Sequence, residues 1–122
     1  MRKQVVFDTN ILIYFFEGNI KAARLLEDTE FFLSSMTHVE ILSDLNTAPQ
    51  KRLLIKDFLT AVTIIQTSPI ICERAARFRL SYAIKLPDAI IAATALYLGI
   101  PLITGDAAFF KIKEIEIIPF IK

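Results

Sequence analysis

The sequence predicts an α/β fold, a three-layer α/β/α sandwich in which a mostly parallel central sheet lies between two layers of helices. Short apolar runs rich in β-branched residues alternate with longer helical patterns, which is typical of βαβ units. No internal repeat, low-complexity run or linker interrupts this alternation, and 122 residues suit one domain. We therefore expect a single domain that covers residues 1–122.

Five strand candidates follow from the apolar runs. They are short and hold few polar residues, as strands do when both faces of a parallel sheet are covered. The predicted strands are residues 4–7, 30–33, 61–65, 102–104 and 115–118.

Six helix candidates lie between these strands. Pro49, Pro69 and Pro87 stand where helices begin, a position that tolerates proline because the first N–H groups have no partner within the helix. Gly99 is typical of a residue that ends a helix. The predicted helices are residues 10–17, 21–27, a segment that starts at Thr37, 51–59, 69 to about 83, and 88–98.

Thr37 precedes the third helix candidate, and Glu40 stands three residues further on. This is the spacing of a capping box, in which the two side chains satisfy backbone N–H groups at the start of a helix. The pattern predicts a helix N-terminus at Thr37 and offers a purely structural role for Glu40.

The composition is rich in apolar residues, at 54% hydrophobic residues and a mean hydropathy of +0.51. It excludes a disordered chain and leaves apolar surface for a partner or a second copy. Paired phenylalanines at 15–16, 31–32 and 109–110 cannot all face the core, because neighbouring side chains point in different directions. We therefore expect a homodimer.

The formal net charge is +1, which is not the strongly basic balance of a protein that coats nucleic acid. A nucleic-acid substrate would be contacted through a local patch. Arg74 and Arg77 lie three residues apart on one predicted helix, where a solvated face is favoured over a patch for RNA phosphates.

Cys72 is the only cysteine, which excludes an intrachain disulfide and a cysteine-based metal site. It is expected to be a small buried apolar residue. The longest apolar stretch, residues 89–100, is too short to cross about 30 Å of hydrocarbon. No apolar signal-peptide core follows Arg2 and Lys3, so a cytoplasmic protein without a membrane anchor is expected.

Four carboxylates from distant parts of the sequence are expected at one edge of the sheet. Asp8 and Asp106 follow the first and fourth predicted strands. Glu40 lies one turn into the helix after the second strand, and Asp88 opens another helix. Ligands of open parallel sheets collect at the carboxyl ends of the strands. A turn, a cap or a helix dipole explains each acid separately, but not their shared edge.

Such a group of acids favours a divalent cation. Carboxylates that meet in a cleft repel each other until a cation neutralises them. Oxygen ligands suit Mg²⁺ or Mn²⁺, and His38, the one histidine, cannot form a zinc site alone. A cation there polarises a phosphate oxygen and activates water for in-line attack on phosphorus, and the pattern suits one metal or two.

Four motifs resemble those of the PIN-domain family, in order and with similar spacing. They are VVFDTN at residues 5–10, SSMTHVE at 34–40, KLPDAIIAATA at 85–95 and PLITGDAAF at 101–109. The resemblance implies a PIN fold and an endoribonuclease that uses Mg²⁺ or Mn²⁺. It also implies similarity to VapC-type toxins of toxin–antitoxin pairs, with RNA as substrate and an antitoxin as partner.

The same resemblance implies roles for individual residues. Catalytic and metal-binding roles fall on Asp8, Glu40, Asp88 and Asp106, with supporting polar roles for Asn10 and Thr104. Many members carry a further acid just before the aromatic residue that follows the fourth motif, whereas this chain has Ala108. That departure weakens any second metal site, so metal binding in this part of the chain depends more on Asp106.

Two other functions stay open at this point. Asp8 suits the nucleophile of a phosphatase or phosphotransfer domain that forms an aspartyl phosphate, but phosphatases of the haloacid-dehalogenase type want a second Asp where Asn10 stands. A non-catalytic binding module with the same fold is the other alternative. The presence of all four acids argues against it.

Overall fold

The computed structural model describes residues 1–122 and contains one five-stranded sheet. All four strand pairings are parallel, and the strand order is β3-β2-β1-β4-β5. The predicted α/β class is confirmed, and the sheet is parallel throughout rather than mostly so. The strands are β1 (Lys3–Phe7), β2 (Thr29–Ser34), β3 (Thr63–Ile65), β4 (Leu102–Thr104) and β5 (Ile117–Pro119).

Six α-helices connect and flank the strands. A single turn of 3₁₀ helix at Ala107–Phe109, which the sequence patterns did not predict, follows β4. None of the helices is long and apolar enough to cross a membrane. The helices are α1 (Thr9–Phe16), α2 (Ile20–Asp28), α3 (Ser35–Leu42), α4 (Pro49–Thr60), α5 (Pro69–Tyr82) and α6 (Leu86–Leu98).

Local signals account for several helix ends. The Ser68 side chain accepts a hydrogen bond from the backbone N–H of Ile71, and Pro69 is the first residue of α5. Gly99 ends α6 with φ = 68°, a left-handed conformation that glycine adopts without a Cβ penalty. These two boundaries are therefore confirmed.

The predicted start of α3 is wrong. Ser34 is its N-cap, and the Ser34 hydroxyl accepts a hydrogen bond from the Met36 N–H at 3.0 Å. The helix begins as soon as β2 ends, so Thr37 lies inside it and is completely buried. Glu40 is therefore not the partner in a capping box, and its carboxylate is available for another contact.

Two strands are shorter or later than predicted. Ala61 ends α4, so β3 starts only at Thr63. The last strand starts at Ile117 rather than at residue 115, because it pairs with β4 in the register Leu102↔Ile117. The residues just before it form a turn.

Cys72 is exposed, which corrects the expectation that it is buried. It lies on α5, where Ile71, Ala75 and Phe78 face the core. A helix buries residues three and four positions apart, and Cys72 falls on the neighbouring outer face.

The core consists of two apolar clusters, one on each side of the sheet. Along β1, Val6 points to a cluster with α5 and α6, whereas Val5 and Phe7 point to a cluster with α1, α3 and α4. The Phe7 ring stacks on Phe31 of β2 at 4.8 Å between ring centroids. Because β1 is covered on both faces, the sheet lies between two helical layers.

The strand order creates a topological switch point between β1 and β4. The chain runs from β1 to β2 and β3 on one side, and then places β4 and β5 on the other side of β1. Ligands of open α/β sheets bind outside the carboxyl ends of the strands at such a point. The ladder extends to Asp8, whose N–H donates to the Ile103 carbonyl at 3.0 Å.

Leu33→Ala should lower the free energy of unfolding by about 2–5 kcal/mol, because Leu33 is fully buried in β2 and the shorter side chain leaves a cavity. Leu54→Ala is the matched control, since Leu54 is 69% exposed on α4 and its loss should cost less than about 0.5 kcal/mol. Urea denaturation measures both. Equal losses in the two variants would contradict this assignment of the core.

Candidate active site

A polar cleft of about 260 Å³ opens at the carboxyl ends of β1 and β4. All four predicted acids line it, although they come from four separate parts of the sequence. Asn10 lines it as well, whereas Thr104 is completely buried and reaches the site through a hydrogen bond. The lining residues are Asp8, Thr9, Asn10, Ile13, Glu40, Asp44, Asp88 and Asp106.

Asp8 is held on both of its carboxylate oxygens. Its Oδ1 accepts a hydrogen bond from the Thr9 N–H at 2.7 Å, and its Oδ2 accepts one from the Thr104 hydroxyl at 2.7 Å. The side chain is only 5% exposed. Asp8 is thus both the N-cap of α1 and a carboxylate whose orientation is set by two neighbouring elements.

Thr104 links Asp8 to Asp106. The Thr104 Oγ1 donates to Asp8 and accepts a hydrogen bond from the Asp106 N–H at 3.0 Å. The Asp106 Oδ1 in turn accepts from the Ala108 N–H at 2.9 Å, which starts the 3₁₀ turn. One hydroxyl therefore contacts both the carboxylate of Asp8 and the backbone of Asp106.

Glu40 projects from α3 toward α1. Its Oε1 accepts a hydrogen bond from the Thr9 hydroxyl at 2.6 Å. The same Thr9 hydroxyl lies 3.0 Å from the hydroxyl of Thr37. The sequence patterns assigned a capping role to Glu40, whereas in the fold it contacts the residue that follows Asp8.

Asp88 lies in the first turn of α6, where the positive end of the helix dipole favours an acid. Its pKa is nevertheless raised above the usual value, first by burial and then by the charges of Asp106 and Glu40. The charge of Lys85 lowers the pKa of Asp88 in part. Repulsion between the carboxylates therefore accounts for part of this rise, after burial.

Burial raises the pKa of Asp8 to about 6, although its hydrogen bonds from Thr104 and Thr9 act in the opposite direction. The charges of Asp88 and Asp106 raise it further. A cation in the cleft would lower the pKa of Asp8, since it would stabilise the ionised carboxylate.

The donor set fits Mg²⁺ or Mn²⁺. Only oxygen donors line the cleft, and His38 is not among the lining residues. No three His, Cys, Asp or Glu side chains are grouped tightly enough to enclose an ion on their own. That arrangement suits Mg²⁺, which keeps several water ligands and takes only one or two carboxylates together with substrate phosphates.

The patterns in the sequence missed three residues of this site. Asp44 lines the cleft but lies beyond the end of α3, so no helical spacing marked it. Thr37 did carry a signal, because it stands three residues before Glu40 on the same helix. Thr9 gave no signal apart from its position next to Asp8.

The carboxyl-terminal segment packs against two elements that carry residues of the site. The Phe120 N–H donates to the Thr104 carbonyl at 2.9 Å, and the Phe120 ring stacks on Tyr14 of α1 at 5.8 Å. A Cβ atom at Gly105 would stand 2.7 Å from the Phe120 carbonyl oxygen, so only glycine allows this approach. The segment therefore ties β4 to α1.

The fold and the cleft define a class of protein: three-layer α/β/α domains that gather acidic side chains at the switch point of a parallel sheet. The family model described as PIN domain matches residues 5–115. The chain therefore belongs to the PIN-domain family, as its four motifs indicated. No curated protein matches it in sequence.

Solved structures similar to this chain include toxin–antitoxin complexes. A toxin–antitoxin complex from Klebsiella pneumoniae is 34% identical, covers 91% of this chain and 94% of the other, and has a TM-score of 0.81. VapBC2 from Rickettsia felis, bound to a DNA fragment from its promoter, is 21% identical with coverages of 96% and 98% and a TM-score of 0.80. DNA-bound VapBC from Salmonella typhimurium is also 21% identical, with both coverages at 98% and a TM-score of 0.80.

The raised pKa of Asp8 has a consequence for stability. Because the folded-state pKa is about 6 rather than 3.8, the folded chain binds more protons than the unfolded chain between these values. The stability that Asp8 contributes is therefore present at low pH and lost as the pH rises through 6.

In metal-free buffer, the free energy of unfolding of the natural chain should fall by about 2 kcal/mol relative to Asp8→Asn between about pH 4 and about pH 8. Asparagine does not titrate, so the variant isolates the contribution of this carboxyl group. Urea denaturation across the pH range measures the difference. Parallel pH profiles for the two proteins would show that burial does not raise the Asp8 pKa.

Proposed function

We propose that this protein is a VapC-type toxin, an endoribonuclease that hydrolyses RNA phosphodiester bonds with Mg²⁺ or Mn²⁺. The observation that carries the proposal is the meeting of Asp8, Glu40, Asp88 and Asp106 in one polar cleft at the switch point of a PIN-domain sheet. Their chemistry is that of a hard-cation site, and nothing in the lining offers a nucleophilic thiol or an imidazole.

One or two of the four acids would bind the cation directly and the others through its water ligands. The cation would supply charge neutralisation at phosphate and a water of lowered pKa. Thr104 and Thr9 fix the carboxylates of Asp8 and Glu40 in advance, so these two groups need not reorganise when substrate arrives. Asn10 is exposed at the rim of the cleft, where its amide can contact a phosphate or ribose oxygen.

Asp106 would bind chiefly through Oδ2, because one lone pair of its Oδ1 already accepts the Ala108 N–H. Ala108 itself offers no ligand where many PIN domains have an acid. The missing acid favours a single tightly held cation over two.

We also propose an antitoxin as the partner of this chain. The support is the similarity to the Klebsiella pneumoniae toxin–antitoxin complex at 34% identity over nearly the whole of both chains. An antitoxin would keep the nuclease inactive until it is released.

RNA cleavage should require the divalent cation and Asp8. Purified protein should cleave RNA with Mg²⁺ and stop when EDTA is added, because the carboxylates then lack the ion that activates water. Asp8→Asn should lower the cleavage rate at least about 10³-fold. Gel electrophoresis of end-labelled RNA measures the rate.

Asp57→Asn is the matched control for this experiment. It makes the same change of charge on the exposed face of α4 and leaves the cleft unaltered, so its rate should equal that of the natural chain. Cleavage that persists in EDTA would contradict the proposed metal-dependent mechanism. Acid-labile phosphate on Asp8 would point to phosphotransfer instead, and failure to bind Mg²⁺ would favour a non-catalytic module.

We further propose a homodimer that forms through the groove between α5 and α6. This groove of about 680 Å³ has eight apolar residues among the nine that line it, and it includes Leu80, which is 88% exposed. Burying such a surface against a second copy would stabilise the dimer by the hydrophobic effect.

Leu80→Glu should convert the dimer to a monomer, because a charge would be desolvated in the apolar groove when the second copy binds. Light scattering coupled to gel filtration measures the mass. Leu54→Glu, at another exposed leucine on α4, should leave the mass unchanged. A natural chain that elutes as a monomer, or a dimer that survives Leu80→Glu, would contradict the proposed interface.

A further inference from the structure

Two buried threonine hydroxyls lead from the interior of the protein to the carboxylate of Glu40. The Thr37 and Thr9 hydroxyl oxygens lie 3.0 Å apart, and the Thr9 Oγ1 is 2.6 Å from the Glu40 Oε1. Thr37 is completely buried and Thr9 is 7% exposed. The contacts join α1 to α3, so they connect the element that follows Asp8 with the element that carries Glu40.

The direction of this hydrogen-bond chain follows from counting protons. A hydroxyl has one proton to donate and two lone pairs that accept. An ionised Glu40 has no proton, so Thr9 must donate to it. Thr9 then has only lone pairs left for Thr37, so the Thr37 hydroxyl donates to the Thr9 hydroxyl. The chain runs in one direction, from Thr37 through Thr9 to the carboxylate.

We propose that Thr9, oriented by Thr37, is a positioning residue that holds the Glu40 carboxylate in the geometry for cation binding. This inference rests on the proposed metal-dependent function of the cleft. Thr9 holds Oε1, which leaves Oε2 of Glu40 for the cation or its water. Thr104 makes the same kind of contact with Asp8, so each of the two acids is aligned by a threonine hydroxyl.

A hydrogen bond that orients the carboxylate matters more for Glu40 than for the aspartates. A glutamate has one more rotatable bond than an aspartate, and Glu40 is only half-buried, so packing alone does not fix its carboxylate. Groups that hydrogen-bond to a metal ligand typically change metal affinity by about 10- to 100-fold when they are removed.

Calorimetric titration with Mn²⁺ tests the proposal without RNA. Thr9→Val keeps the shape of the side chain but removes the hydroxyl, and it should weaken Mn²⁺ binding by about 10- to 100-fold. Thr9→Ser restores the hydroxyl and should regain most of that affinity. Thr37→Val should weaken binding less, because its hydroxyl acts on Glu40 only through Thr9. Equal affinities in Thr9→Val and the natural chain would overturn the proposal.

A double variant separates positioning from a general effect on the fold. If Thr9 acts through Glu40, Thr9→Val should cause no further loss of Mn²⁺ affinity in a Glu40→Gln background. A loss of the same size in both backgrounds would show that Thr9 only supports the fold. Thermal unfolding of each variant checks that the proteins compared are folded.

A measurement on the metal-free protein distinguishes failure of this proposal from failure of the proposed function. Side-chain NMR couplings should report one Glu40 rotamer in the natural chain and an average of several in Thr9→Val. If the rotamer is lost in Thr9→Val but the natural chain binds no Mn²⁺, the threonines hold Glu40 for another purpose, and both the proposed metal role and this inference fail. If Mn²⁺ binds and the rotamer is unchanged in Thr9→Val, only the positioning role fails.

Discussion

The pairing of β1 with β4 is the interaction on which the rest of the structure depends. Because β1 pairs with β2 on one side and with β4 on the other, its carboxyl end lies at the topological switch point of the sheet. The ladder continues to the Asp8 N–H, so the residue that carries the carboxylate is held by the sheet itself. A register shift of one residue would turn the Thr104 side chain to the opposite face and remove the hydroxyl from Asp8.

The burial of the Asp8 carboxylate costs free energy, which its hydrogen bonds offset only in part. Asp8 is almost fully buried without an opposite charge beside it, and its pKa is raised as a result. Two hydrogen bonds stabilise the ionised form, but the charges of Asp88 and Asp106 act against it. The cleft therefore disfavours an ionised Asp8 when no positive charge is close to it.

The sequence predicted the sheet, the helix ends marked by proline and glycine, and the edge at which the acids meet. These features depend on local chemistry, as at Gly99, or on a topology that alternating segments determine. The start of α3 could not be predicted, because Ser34 and Thr37 are both good N-cap residues and only the end of β2 decides between them. Asp44 lies beyond the end of α3, so its place in the cleft depends on tertiary packing.

The close approach of Phe120 to Gly105 links the last residues of the chain to the strand that carries Thr104. Lys122 lies only two residues beyond Phe120, and its ammonium group sits 4.5 Å from the centre of the Tyr14 ring. Residues 120–122 therefore brace both α1 and β4, so a displacement of this segment would reach Thr104 and, through its hydroxyl, the carboxylate of Asp8.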